Sequence, residues 1–196
     1  NNYAQVEGTS TNYGMYVYGS DYVDIVYNSM NSFNTHVNSY AIYEVVNQQA
    51  LIQNNIFQNL GGGRAGYISN SYNNGAEDYN DFFASGPNLM NYRNTTYATL
   101  PLFVTASGLD SNSISVNAQF SDTTDFHVEA APLDGAGIPF AGVTTDLDGQ
   151  QRDPITPDIG ADEISLNTND ASLTAYVGPN KVFASGSQTI YVDLLN

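Results

Sequence analysis

The chain has 196 residues, and its 20 acidic side chains stand against only four basic ones, Arg64, Arg93, Arg152 and Lys181, for a net charge of −16. That balance excludes binding to nucleic acid or anionic lipid through a basic patch. No apolar run reaches the length of a membrane span, and the lack of cysteine excludes a disulfide framework and a thiolate zinc site. Charged residues make up only 12% of the chain, about half the usual share. Polarity comes instead from Asn, Ser, Thr, Gly and Tyr, with 18 Asn in the first 94 residues. The implied surface is neutral and rich in hydrogen-bonding groups. With Asn1 where an initiator Met would stand, the sequence reads as a mature or excised piece of a longer protein.

In chain order, three segments share one layout: "MYVYGSDYVDIVYNSM" (Met15 to Met30), "AIYEVVNQQALIQNNIF" (Ala41 to Phe57) and "GYISNSYNNGAEDYNDFF" (Gly66 to Phe83). Each holds a short β-prone run, a polar corner and a second run containing Asn-x-apolar. Aligning Asn28, Asn55 and Asn80 brings Met30, Phe57 and Phe82 into equivalent places, with steps of 27 and 25 residues. A period of this size predicts a solenoid. Its Tyr, Val, Ile and Asn, broken by Gly, suit strands rather than the Ala/Leu-rich helices of helical repeats. In a parallel β-solenoid, equivalent residues stack at about 4.8 Å. Asn at a repeated corner can then donate and accept along the stack, and it tolerates a left-handed backbone.

"YATLPLFVTASG" (Tyr97 to Gly108) interrupts the pattern and predicts a short helix, with Thr99 as cap, Pro101 in the first turn and Gly108 as the stop. A further coil is expected at "NSISVNAQF" (Asn112 to Phe120), with Ile114, Val116 and Phe120 inward. The acidic stretch "TDLDGQQRDPITPDIGADE" (Thr145 to Glu163) has no strand or helix period. After a linker at "NTND", the stretch from Ala171 onward reads as two alternating strands around a Gly-Pro-Asn turn. Two strands need partners elsewhere to be stable.

The segments from "EDYNDFFASGPNLMNY" through "DFHVEAAPLDGAGIP" to "TDLDGQQRDPITPDIGADE" resemble the C-terminal coils of secreted right-handed parallel β-helix proteins, the pectate-lyase-like group often found in Bacteroidetes. Such helices commonly close with a D-x-DG-x-x-R…PDIGA-x-E sequence. The resemblance covers roughly residues 15–165, and the strands after Asp170 are similar to the start of the Ig-like modules that follow these helices. The expected fold is therefore all-β: a right-handed parallel β-helix with one short helical insertion over residues 1–166, then the first strands of an Ig-like β-sandwich over 167–196. The resemblance implies an extracellular or cell-surface location, and no activity, because the fold carries both enzymes and inert stalks.

Several constellations bear on chemistry. Asp146, Asp148 and Asp153 in "DLDGQQRD" are similar to the first half of an EF-hand loop and suit calcium, but Pro157 stands where the distal bidentate Glu belongs. The competing expectation is a structural cap of Arg152, Asp158, Asp162 and Glu163, in which Arg152 pairs with a carboxylate such as Asp148, Asp162 or Glu163. Asp21 with Asp24, or Asp78 with Asp81, has the residue types of a glycosidase pair, yet Asp in Asn-rich corners usually turns the backbone. A lyase needs a base and cations for a uronate; the candidates are His36 with Arg64 or Arg93, while His127 in "DFHVEA" reads as a coil residue. Tyr16, Tyr18, Tyr22 and Tyr27 offer stacking faces for neutral glycans, or an aromatic ladder that stiffens the strands. No catalytic residue is assigned. The leading expectation is a non-catalytic structural segment of an adhesin, stalk or fibre that binds neutral glycans. The alternatives are the C-terminal part of a polysaccharide lyase or glycoside hydrolase with its catalytic coils upstream, and a self-associating filament subunit.

Overall fold

The computed structural model describes residues 1–45, 49–69 and 76–165. Contacts divide the chain into two units, Asn1–Ile164 and Ser165–Asn196. The expected Ig-like strands, and Lys181 with them, lie outside the described residues.

The first unit is a parallel β-solenoid of about 3 turns. Its first sheet stacks β1 (Asn2–Val6), β4 (Asn28–Ser32), β7 (Ile56–Asn59) and β10 (Asp81–Ala84). A second sheet runs β2 (Tyr13–Tyr18), β5 (Tyr40–Val45), β8 (Arg64–Ile68) and β11 (Met90–Tyr92), with β12 (Thr95–Tyr97) folding back antiparallel on β11. A third, narrow sheet holds β3 (Asp24–Val26), β6 (Leu51–Gln53) and β9 (Glu77–Asp78). The register is the one expected: Met30 stands opposite Phe57, and Phe57 opposite Phe82. These inward side chains form the main core with Ile25, Ile42, Ile52 and Met90. The stack begins one coil earlier than the sequence repeat suggested, because β1 pairs with β4 from Asn2 to Val6.

The corner after the third sheet is built in the same way in each coil. Tyr27, Asn54 and Tyr79 adopt left-handed φ of 58° or less, and each directly precedes a ladder asparagine. The left-handed residue is thus the neighbour of the Asn expected to fill that role, which leaves the Asn side chain free to point along the stack.

The helix α1 (Leu100–Ser107) follows Thr99 as expected, although the Thr99 side chain makes no capping bond. Gly108 ends it at φ 74°, donating its N–H to the Val104 carbonyl. Phe103 is fully buried and packs against Phe82, Tyr92 and Tyr97. α1 therefore covers the C-terminal end of the main core. The stretch from Asn112 to Phe120 does not form another strand: Ile114 makes a single bridge to Asp81. Ile114, Val116 and Phe120 pack instead on a second apolar cluster with Ile56, Ala118, Val128, Ala130, Leu133 and Ile159.

That second cluster explains an anomaly in the first sheet. Period-2 alternation should leave one face of β4 and β7 wet, yet every residue of both strands is buried. The non-periodic tail covers the outward face. Gly160 donates to the Asn54 carbonyl, Ala161 donates to Ser29 Oγ, and Ile138 donates to Asn54 Oδ1. Gly160 has φ 110°, and a Cβ there would lie 2.5 Å from Ile56 Cδ1, so only glycine allows this approach.

Candidate functional site

Three clusters carry the chemistry. The first is the ladder at the coil corner. Each Nδ2 donates to the next Oδ1, from Asn2 to Asn28 (3.0 Å), to Asn55 (2.9 Å), to Asn80 (3.0 Å) and to Asp110 (3.1 Å). A run of amides donating in one direction needs an acceptor at its end, and a carboxylate supplies it. The other Asp110 oxygen and Glu77 Oε2 are buried, and among the described residues neither has a separate partner. Burial, with Asp110 and Glu44 near Glu77, pushes Glu77 well up, and burial raises Asp110 to about 6. The two acids sit where a proton can be shared between them.

The second cluster is the acidic tail. Arg152 is buried, with its guanidinium 3.9 Å from the centre of the Tyr27 ring. It donates to Glu163 Oε2 (3.2 Å), to the carbonyls of Gly160 (2.9 Å) and Ala161 (3.0 Å), and to Asn1 Oδ1 (3.1 Å). Glu163 also accepts from the N–H groups of Asp153 (2.7 Å) and Asp158 (3.2 Å). Asp158 accepts from Gly135 N–H (2.6 Å) and from Ile164 N–H; burial pushes it up to about 7. Arg152, Asp158 and Glu163 therefore meet in one network. Its place differs from the expected one: α1 closes the stack, while the acidic tail clasps the flank and reaches back to Asn1. An irregular segment buries its backbone safely only where side chains answer its N–H and C=O groups, and these carboxylates and this guanidinium do so.

The three aspartates expected around calcium do not converge. Asp146 Oδ1 accepts from the N–H groups of Asp148 (2.9 Å) and Gln150 (2.8 Å), and its Oδ2 from Glu163 N–H (3.1 Å). Asp153 Oδ1 accepts from Ile155 and Thr156, both at 2.8 Å, and those bonds hold its carboxyl below the usual range. Both act as turn formers. Among the described residues the metal-ligating side chains that do converge are His127, Asp148 and Asp162, whose ligand atoms all lie within 4.8 Å of one another. His127 Nδ1 meets Asp125 and its Nε2 meets Asp148 Oδ2 at 2.6 Å; these bonds raise the imidazole to about 9. Sequence reasoning took His127 for a coil residue. The signal available was two Asp-flanked motifs, "DFH" and "DLDG", that only the tail's own folding brings together.

The third cluster is aromatic. Tyr16, Tyr43 and Tyr67 are register partners in β2, β5 and β8. Their rings stack at 5.5 Å and 14° between the first two, and at 4.2 Å and 9° between the last two. Tyr16 and Tyr18 lie 6.2 Å apart with planes only 4° from parallel. Burial among these rings pushes the Tyr43 phenol up to about 12. Tyr16, Tyr18 and Tyr22 are 55%, 63% and 78% exposed, whereas Tyr27 is only 1% exposed beneath Arg152. Three of the four expected sugar-stacking rings are at the surface; Tyr27 is withdrawn from it because it anchors the tail.

The residues of the catalytic alternatives lie in the following surroundings. Asp78 is bound to the N–H and side-chain amide of Asn112, both at 2.7 Å. Asp81 is buried and accepts from Val116 N–H at 2.8 Å. Asp21 and Asp24 are both exposed. Arg64 donates to Val37 O (2.7 Å), Asn38 Oδ1 (3.0 Å) and Tyr40 OH (3.1 Å), while His36 Nδ1 accepts from Asn38 N–H at 3.2 Å. The Arg93 guanidinium lies over the Tyr92 ring. A cavity of about 280 Å³ lies beside the first sheet, lined by the amides of Asn31, Gln58, Asn117 and Gln119 with Phe33 and Phe120.

Fold and clusters together define a parallel β-solenoid with ladder-stacked coils and a clasped flank. Comparison with protein-family models, with curated proteins and with solved structures returns no match.

Proposed function

We propose that the chain is a non-catalytic structural segment of a large extracellular or cell-surface protein, an adhesin, stalk or fibre, whose tyrosine face binds neutral glycans. The observation that carries this reading is the pair Tyr16 and Tyr18, more than half exposed with ring planes nearly parallel, on a sheet where Tyr43 and Tyr67 continue the stack from Tyr16 on the neighbouring strands. A preorganised pair of flat rings loses little conformational entropy on binding, and aromatic faces suit the C–H side of a pyranose. The net charge of −16 disfavours polyuronates and leaves neutral sugars as the compatible class. The resemblance to secreted right-handed parallel β-helices of the pectate-lyase-like group agrees with this setting, as does the scarcity of cations that a lyase would use.

A panel of immobilised neutral and acidic glycans tests the reading. Binding is expected to neutral members only, and Tyr16→Ala and Tyr18→Ala are each expected to weaken it by about tenfold, about 1–2 kcal/mol for a stacking ring. Equal retention by both variants, or preference for polyuronates, would remove the tyrosine face from the account.

A further inference from the structure

We propose that His127, Asp148 and Asp162 form a binding site for a divalent transition ion of the zinc class, with Asp125 as the carboxylate that orients the imidazole. Four observations converge on it. His127 Nε2, Asp148 Oδ2 and an Asp162 oxygen lie within one 4.8 Å neighbourhood. Asp125 engages the opposite ring nitrogen, Nδ1, and would keep a proton there while the ion displaces the one that Nε2 shares with Asp148, leaving Nε2 as an oriented ligand. Asp162 is 2% exposed; its Oδ2 accepts from Val128 N–H at 2.9 Å. Its Oδ1 has no hydrogen-bond partner among the described residues, so a buried carboxylate oxygen there is unanswered, and leaving it so is costly.

The geometry accepts an ion with small movements. Zinc–nitrogen and zinc–oxygen bonds of about 2.0–2.2 Å place neighbouring ligands of a tetrahedron about 3.4 Å apart. The present 2.6 Å between His127 Nε2 and Asp148 Oδ2 must therefore open, and the exposed Asp148 side chain, 41% accessible, can shift to allow it while Asp125 holds the ring. Asp162, held by Val128, is the fixed point. One imidazole and two carboxylates favour zinc, manganese or iron over calcium, which takes six to eight oxygens. A fourth position is left for water, so the ion is exchangeable. It would tie the loop around Asp125 to the turn at Asp148 and to the buried end of the tail at Asp162.

Calorimetric titration of the full chain with zinc chloride is the test, alongside His127→Ala, Asp162→Asn, Asp125→Asn and His36→Ala. One zinc per chain is expected. Affinity should fall by at least about tenfold in the first two variants and by about 10–100-fold in Asp125→Asn, the range for partners that orient a ligand; His36→Ala should leave it unchanged. Asp162→Asn keeps an amide oxygen for Val128, so its loss of zinc would not reflect unfolding, and circular dichroism of each variant checks this. Cobalt substitution should give visible absorption bands that vanish in His127→Ala. Zinc retained at full affinity by His127→Ala, or no binding at about 100 µM zinc, would overturn the site. Displacement by equimolar calcium would overturn the ion class.

Discussion

Asn55 shows how one side chain sets the pitch of the stack. Its Oδ1 takes both the backbone N–H (3.0 Å) and the Nδ2 (2.9 Å) of Asn28, while its own Nδ2 reaches Asn80 Oδ1 (3.0 Å) and the carbonyls of Ile25 (2.8 Å) and Gln53 (2.9 Å). It is completely buried, so no water can replace these bonds. Asn55→Ala would strand donors on Asn28 and carbonyls on two coils at once. At about 1–3 kcal/mol for each unsatisfied group, a loss of about 3 kcal/mol or more is expected in urea unfolding; a loss under about 1 kcal/mol would show that the ladder contributes little. The alignment of Asn28, Asn55 and Asn80 was legible in the sequence because a parallel stack allows one register, and inward side chains repeat with it. That Tyr27, Asn54 and Tyr79 carry the left-handed turn was not legible. Tyrosine disfavours positive φ, and at Tyr27 the compensation lies in Arg152, 125 residues further along.

At the scale of elements, two devices share work that the sequence suggested a single one would do. α1 closes the apolar end of the core with Phe103, and its start and stop were readable from Pro101 and Gly108. The acidic tail instead seals the outward face of β4 and β7, and its role was hidden because nothing in a non-periodic segment says which surface it will cover. The available sign was Ile56, an apolar residue on the outward face, in line with Ser29 and Asp81. Arg152 holds this tail through two carbonyls, Glu163 and Tyr27. Arg152→Ala should cost about 3–5 kcal/mol, the range for breaking a buried ion pair from one side. The tail should become susceptible to proteolysis while the parallel coils keep their circular dichroism. Unchanged protection from proteolysis would mean that the apolar cluster around Ile159 and Leu133 suffices alone. The grouping of His127 with Asp148 and Asp162 escaped sequence reasoning for the same reason: their positions depend on how the tail lies, and the spacing of 21 and 14 residues has no repeat to guide it.

At the scale of the whole molecule, the acidic balance acts through a few buried groups as well as through the surface. Glu77, Asp81, Asp110 and Asp158 all hold their protons more tightly in the folded chain, chiefly because burial disfavours the charged form, with Asp110 raised to about 6 and Asp158 to about 7. A raised carboxyl contributes stability that is complete below its unfolded value of about 4 and is lost as pH rises through the folded value. The thermal unfolding midpoint should therefore fall by several degrees as pH rises from about 4 to about 7. Asp110→Asn should flatten that slope while preserving the ladder's final acceptor oxygen. A midpoint that rises over the same interval would place the protons elsewhere. Under the proposed function, ladders, clasp and tyrosine face serve mechanical and binding roles without turnover. The most direct measurement is incubation of the chain with pectin, alginate, chondroitin and neutral glycans, with and without zinc or calcium, followed by assay for new reducing ends and unsaturated uronates. The account predicts glycan retention with no product under any condition. Steady product formation that scales with chain concentration would contradict it.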